Sequence, residues 1–192
     1  MDIVLHTCCA PCSSAVIEYL LNNGMTPVIF YYNPNIYPQA EYEKRKAECT
    51  RYAHLLGLTI VDGDYNHPAW TDEMKGLEQE PERGRRCLHC FTLRLAKTAR
   101  FTRENGYKIF ATTLASSRWK SLSQINEAGQ AAVLQYPGTS FRAQNWRKGG
   151  LSERRRELIA LHNFYNQTYC GCEYSQTTQN RLEQECRRIK NT

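Results

Sequence analysis

Short apolar runs alternate with longer amphipathic segments along the first sixty residues. Ile3-Val4-Leu5 forms the centre of a strand predicted over 2–6. Ala15, Val16, Tyr19 and Leu20 recur at helical spacing and predict a helix over 13–23, closed by Gly24. The unbroken apolar run over 27–32 fits a strand buried on both faces of a parallel sheet. It ends at the turn signal Asn33-Pro34-Asn35. A charged helix follows over 38–56, then a third strand over 58–61. Two βαβ units in this span predict a doubly wound α/β sheet.

The segment over 64–86 is polar and holds Pro68, Pro81 and Gly84, so it predicts a loop with one short helix. A helix over 87–104 and a strand over 108–114 come next, followed by a Ser-rich turn and a helix over 121–134. Beyond Tyr136-Pro137-Gly138 the pattern reads as loop, then a helix over 152–166 and a polar helix from about 178. No linker or repeat divides the chain. The expectation is one domain over 1–192, with a sheet core over 1–140 and a helical C-terminal extension over 141–192.

Composition narrows the class. The 192 residues suffice for a sizeable core, and no run approaches the ~18 apolar residues of a membrane span. The amino terminus lacks the basic start and apolar stretch of a secretory signal, so a cytoplasmic location is expected. Reduced thiols are then the rule, and clustered cysteines point to metal or catalysis rather than structural bridges. The net charge of +6 is uneven. Residues 1–82 carry 5 Lys/Arg against 12 Asp/Glu, 83–108 carry 8 against 1, and 141–192 carry 10 against 5. Basic surroundings of this kind suit a polyanion, nucleic acid first.

Seven of the nine cysteines fall into three clusters. Cys8, Cys9 and Cys12 sit behind the first strand, where an α/β fold normally puts its chemistry. A helix N-terminus there favours thiolate, and Pro11 is compatible with the first turn. Cys87 and Cys90 share one helix face. Cys9 and Cys12 have the same CxxC spacing, and the two pairs can supply four thiolates to zinc or to an iron–sulfur cluster. Cys170-Gly171-Cys172 can close a small, strained disulfide, which suits a redox pair, or it can complete a metal site. Tyr165, Tyr169 and Tyr174 offer faces for an unpaired base. Cys49 and Cys186 read as packing or surface positions. His6 and His89 flank the clusters and could tune them, whereas Asp62 and Asp64 read as solvated loop carboxylates or, failing that, acids or ligands. No glycine precedes Gly24, so the phosphate-binding loop of nucleotide-hydrolysing folds is missing.

These motifs, in this order, resemble the cobalamin-independent epoxyqueuosine reductases. The shared features are Cys8-Cys9-Ala10-Pro11-Cys12, Tyr32-Asn33-Pro34-Asn35, Glu80-Pro81-Glu82-Arg83-Gly84, Arg86-Cys87-Leu88-His89-Cys90-Phe91, Arg94-Leu95, Thr112-Thr113-Leu114 and Tyr169-Cys170-Gly171-Cys172. Ser116-Ser117-Arg118-Trp119-Lys120 departs from the Ser-Pro wording of many members. The resemblance implies a Rossmann-like sheet of the HUP type and an iron–sulfur enzyme. It implies reduction of epoxyqueuosine in the tRNA anticodon loop to queuosine, the last step of that biosynthesis, with electrons from an unidentified donor. It also implies a 4Fe–4S cluster on Cys8, Cys9, Cys87 and Cys90, an additional iron on Cys12, and a dithiol–disulfide cycle at Cys170 and Cys172. A competing expectation from the residues alone is a zinc-stapled RNA-binding module without catalysis.

Overall fold

The computed structural model describes residues 1–175. Its sheet holds β1 (Asp2–His6), β2 (Thr26–Tyr31), β3 (Ile60–Asp62), β4 (Ile109–Thr112) and β5 (Ser140–Phe141). The strands are parallel, in the order β3-β2-β1-β4-β5. The helices are α1 (Ala10–Asn22), α2 (Gln39–Leu55), α3 (His67–Glu73), α4 (Arg85–Glu104), α5 (Leu122–Gln135) and α6 (Leu151–His162). The doubly wound expectation holds.

β1 is central, and Ile3, Val4 and Leu5 are fully buried, as are Phe110 and Ala111 of β4. α1 packs on α2 and α6, while α4 packs on α5. Right-handed crossovers put these groups on opposite faces of the sheet. The chain winds from β1 out to β3, then returns to β4 beside β1. The switch point therefore lies at the carboxyl ends of β1 and β4.

Several boundaries differ from the expectation, each for a local reason. α1 starts at Ala10, three residues early, because Pro11 enters its first turn. The strand expected over 108–114 stops at Thr112, whose hydroxyl accepts from Leu114 N (3.1 Å) and caps a 3-10 turn over Thr113–Ser116. α6 ends at His162, where Asn163 takes a left-handed conformation (φ 48). β5 falls in the stretch expected as loop. It spans two residues, too few for a periodic signal, and is held by Ser140 N to Lys108 O and Arg142 N to Phe110 O (2.8 Å each). Gly129 of α5 lets the helix approach it, since a Cβ there would strike the Phe141 ring. The helix expected from 178 and Cys186 lie outside the described residues.

Candidate thiol centre at the sheet switch point

β1 delivers the first cluster to the switch point. His6, its last residue, is fully buried, and Nε2 donates to the Tyr32 carbonyl (3.0 Å) while Nδ1 accepts from the Thr112 hydroxyl (2.8 Å). A carbonyl can only accept, so the neutral Nε2–H tautomer is fixed. Burial, with the Arg94 charge adding to it, lowers the His6 pKa to about 3. His6 thus ties β1 to β2 and β4 instead of titrating beside the thiols. His89 is half-buried and faces Glu73 (3.4 Å).

The Cys8, Cys9 and Cys12 sulfurs lie within 4.8 Å of one another, and all three residues are buried. Cys9 caps α1 in extended conformation, and Cys8 N donates to Thr113 Oγ1 (3.3 Å). Cys8 and Cys9 Sγ are 3.9 Å apart. Hydrogen bonds from Cys12 and Cys9, aided by the charges of Lys120 and Arg94, hold the Cys8 thiol well below its ordinary range. Burial pushes the Cys9 thiol well above it. Gln167 Nε2 reaches over the trio, to Cys9 Sγ (2.8 Å) and Cys12 Sγ (3.6 Å). Three buried thiols in such contact repel as anions and need a cation to be charged together.

The first turns of α4 carry the second cluster, and residues 163–175 return the third to it. Cys87, Cys90, Cys170 and Cys172 line one cavity with Asn35, Trp70, Arg86, Phe91 and Arg94. Burial pushes Cys87 up to about 11, against the pull of the Arg83 N–H (3.3 Å from its sulfur). Burial also raises Cys90, although Arg94 and the Trp70 side chain favour its thiolate. Cys172 is pushed up to about 12 by burial and then by the Cys170 charge. The buried Trp70 Nε1 and Arg94 Nε make no fully formed hydrogen bond among the described residues, and both side chains face the Cys90 sulfur. Orphaned N–H donors beside thiols suit a site that takes up negative sulfur. Among the described residues, no three sulfurs of this second group meet the spacing of the first trio. All eight described cysteines are free thiols, so the Cys170–Cys172 disulfide is not formed here.

Two cations link the groups. Arg94, 2% exposed, donates to Asn33 Oδ1 (2.5 Å), and Asn33 Nδ2 donates to the Thr7 carbonyl (2.9 Å). This chain runs from the Cys90 helix to the residue before Cys8. Burial works against the charge of Lys120, but Cys170, Cys8 and Cys12 hold its ammonium above the usual range.

The Cys170-Gly171-Cys172 loop is docked on α2. Arg45, 2% exposed, donates to the carbonyls of Cys170 and Tyr169 (3.3 Å each), and Tyr37 N donates to Gly171 O (2.8 Å). Gly171 has φ +104, and a Cβ would lie 3.0 Å from both Arg45 Nη1 and Ile36 Cγ1. Tyr165 and Tyr169 are engaged within the protein. Their hydroxyls donate to Glu41 (2.9 Å) and the Tyr37 carbonyl (2.5 Å), and Lys44 and Arg45 cover their rings. Tyr174 packs against Trp70 and Arg86. Asp62 accepts from Tyr42 (2.8 Å) and pairs with Lys46. Asp64 is exposed and lies 4.0 Å from Lys97. Neither aspartate lies with the thiols. Arg45, Lys120, Gln167 and His67, which bridges Pro34 O (2.8 Å) and Glu173 (3.3 Å), carry no sequence signal of a role. Their importance comes from tertiary placement.

A doubly wound sheet with thiols in place of a glycine loop at its switch point defines a thiol-centred α/β protein. The model of the family described as epoxyqueuosine reductase QueH matches residues 3–178. The chain belongs to that family. It is 46% identical over 173 residues to epoxyqueuosine reductase QueH of Histophilus somni, covering 90% of this chain and 71% of the relative. For the Acinetobacter baylyi relative the values are 45% over 179 residues, with 93% and 82% covered. For the Thermotoga maritima relative they are 33% over 176 residues, with 90% and 89% covered. Among solved structures, the U34-tRNA thiolase NcsA from Methanococcus maripaludis with its [4Fe-4S] cluster is similar, with TM-score 0.51 and 16% identity. That match covers 90% of this chain and 61% of the thiolase chain, and it shows the fold. The zinc-stapled binding module finds no support beside this family membership.

Proposed function

We propose that this chain reduces epoxyqueuosine in tRNA to queuosine, and that its three thiol clusters divide the work. The observation that carries the reading is the return of the Cys170–Cys172 loop into the cavity of Cys87 and Cys90, within electrostatic reach of the Cys8 trio through Lys120. Cys8, Cys9, Cys87 and Cys90 hold a 4Fe–4S cluster, and Cys12 takes an additional iron. The buried soft donors and the orphaned Trp70 and Arg94 N–H groups fit such a group. When bound, it supplies single electrons and an oxygen-seeking metal at the site.

Cys170 and Cys172 act as the two-electron store. Reducing the epoxide breaks both carbon–oxygen bonds, forms a carbon–carbon double bond and releases the oxygen as water. It consumes two electrons and two protons. Oxidising the Cys170–Cys172 dithiol to a disulfide releases the same two electrons and two protons. An external reductant then restores the dithiol. Arg45 and Tyr37 hold the loop that carries the pair, and Arg94 and Asn33 hold α4 against β1. The chain works as one unit, a sheet core over 1–140 completed by the extension over 141–192, in the cytoplasm where thiols stay reduced.

Anaerobic purification with iron, sulfide and zinc analysis tests the cofactor assignment. Iron with matching sulfide, lost in C87S and C90S, supports it. A protein that carries zinc without sulfide and still reduces epoxyqueuosine-tRNA contradicts it.

A further inference from the structure

Trp119 is the most exposed aromatic side chain among the described residues, at 63% exposure, whereas Trp70 and Trp146 are buried. No other exposed large hydrophobic lies between residues 57 and 133. An apolar protein-docking patch normally gathers several such side chains, so a single indole in a polar loop calls for a different partner. The loop beneath it is well ordered by hydrogen bonds. Trp119 N donates to Ser117 Oγ (3.3 Å), and Lys120 N donates to Ser117 O (3.3 Å). Arg83 reaches across from the α4 entrance and donates to the carbonyls of Trp119 and Arg118 (3.0 Å each). Gln124 Nε2 in turn donates to Arg83 O (2.8 Å). The backbone is thereby fixed with the indole pointing outward.

The same loop borders the thiol centre on two sides. Arg83 N donates to Cys87 Sγ (3.3 Å), and Lys120, the next residue after Trp119, is the cation influenced by Cys170, Cys8 and Cys12. The Arg118 guanidinium lies over the indole, 4.6 Å from its centroid. An exposed indole with one arginine stacked on it, beside the thiol centre, has the chemistry of a stacking platform for single-stranded nucleic acid.

We propose that Trp119 stacks on an unpaired base next to the modified nucleotide, with the exposed Arg118 beside it to meet an adjoining phosphate and Arg83 holding the loop. This rests on the reading of the chain as a tRNA-acting reductase, and it places the grip on the loop that departs from the family's Ser-Pro wording. The tyrosines near the thiol pair, which were the sequence's candidates for stacking, are engaged elsewhere.

The test uses the iron-loaded full chain, a tRNA carrying epoxyqueuosine and the matching anticodon stem–loop RNA. W119A is expected to weaken binding of both roughly tenfold to a hundredfold. W119F, which retains a ring, is expected to stay within about threefold of wild type. The loss falls on KM rather than kcat, and iron content stays equal across the three proteins. Stem–loop binding quenches tryptophan emission in wild type far more than in W119F, because Trp70 and Trp146 are shielded. Equal affinities for wild type and W119A, with wild type still reducing the tRNA, overturn the platform while leaving the reductase reading intact. A W119A-specific change of oligomeric state without loss of RNA affinity overturns it in favour of a contact between copies. Failure of iron-loaded wild type to bind or reduce the tRNA removes both readings.

Discussion

Arg94 and Asn33 meet at 2.5 Å in the buried space between α4 and the exit of β2, and Asn33 passes the link on to the Thr7 carbonyl. This hydrogen-bonded chain fixes the helix bearing Cys87 and Cys90 against the strand that delivers Cys8 and Cys9. The metal group we propose to be shared by the two clusters would depend on that registry.

Replacing Arg94 with Lys is therefore not conservative. Lysine keeps the charge but loses the planar fork, leaving Asn33 Oδ1 unpaired at a cost of about 1–3 kcal/mol. We expect R94K to fold with a lowered melting temperature and reduced iron. Thermal unfolding and iron content of the two proteins, prepared side by side, check this. An R94K variant with wild-type values for both would contradict the role of the link.

Gly171 separates loop placement from metal binding. Its left-handed φ and the packed Arg45 and Ile36 leave no easy room for a Cβ. G171A is expected to lose most epoxyqueuosine reduction driven by the thiol pair and to retain its iron. The comparison is one of turnover against iron per chain. A parallel loss of both would assign the loop a structural part in metal binding instead.

His6 makes stability depend on pH. Its folded pKa of about 3 lies below the ordinary 6.5, so between these values the unfolded chain binds a proton that the folded chain refuses. Stability thus falls as pH drops through this window, by up to about 1.4 kcal/mol per pH unit from this residue. Urea unfolding of metal-free protein between pH 7 and 4 measures the slope. H6Q is expected to unfold at lower urea overall but with a shallower pH slope, and identical slopes would rule out His6 as the source.

Metal uptake should release protons. Burial keeps Cys87 near 11 and raises Cys90 and Cys9, so binding must displace thiol protons. Cobalt titration of the metal-free chain should show affinity rising with pH between about 7 and 9, with proton release detectable in weak buffer. An affinity flat with pH would mean that the ligands are already thiolates.

Much of this arrangement was legible in the chain. Ile3-Val4-Leu5 and the apolar run 27–32 marked the central strands because burial on both faces leaves no polar alternation. The cysteine clusters marked the chemistry because three thiols around one proline have few structural uses. β5 was hidden by its length, and its support from Gly129 is a long-range contact. Arg45 and Lys120 look like ordinary helix or loop cations in sequence and Arg94 stood out only as part of a shared motif; only the fold buries the two arginines and sets Lys120 in reach of the thiols. His6 and His89 were legible as neighbours of the clusters, but the first is held neutral by burial and the second is turned toward Glu73.

The most direct measurement is a single turnover without external reductant. Iron-loaded protein with its Cys170–Cys172 dithiol reduced is mixed with epoxyqueuosine-tRNA, then quenched. Queuosine in the digested tRNA and the Cys170–Cys172 disulfide in the protein are quantified from the same sample. The account predicts queuosine and disulfide in equal amounts, with neither formed by C170S or C172S. Iron-loaded, prereduced protein that leaves epoxyqueuosine unchanged, or that makes queuosine while both thiols stay reduced, would contradict it.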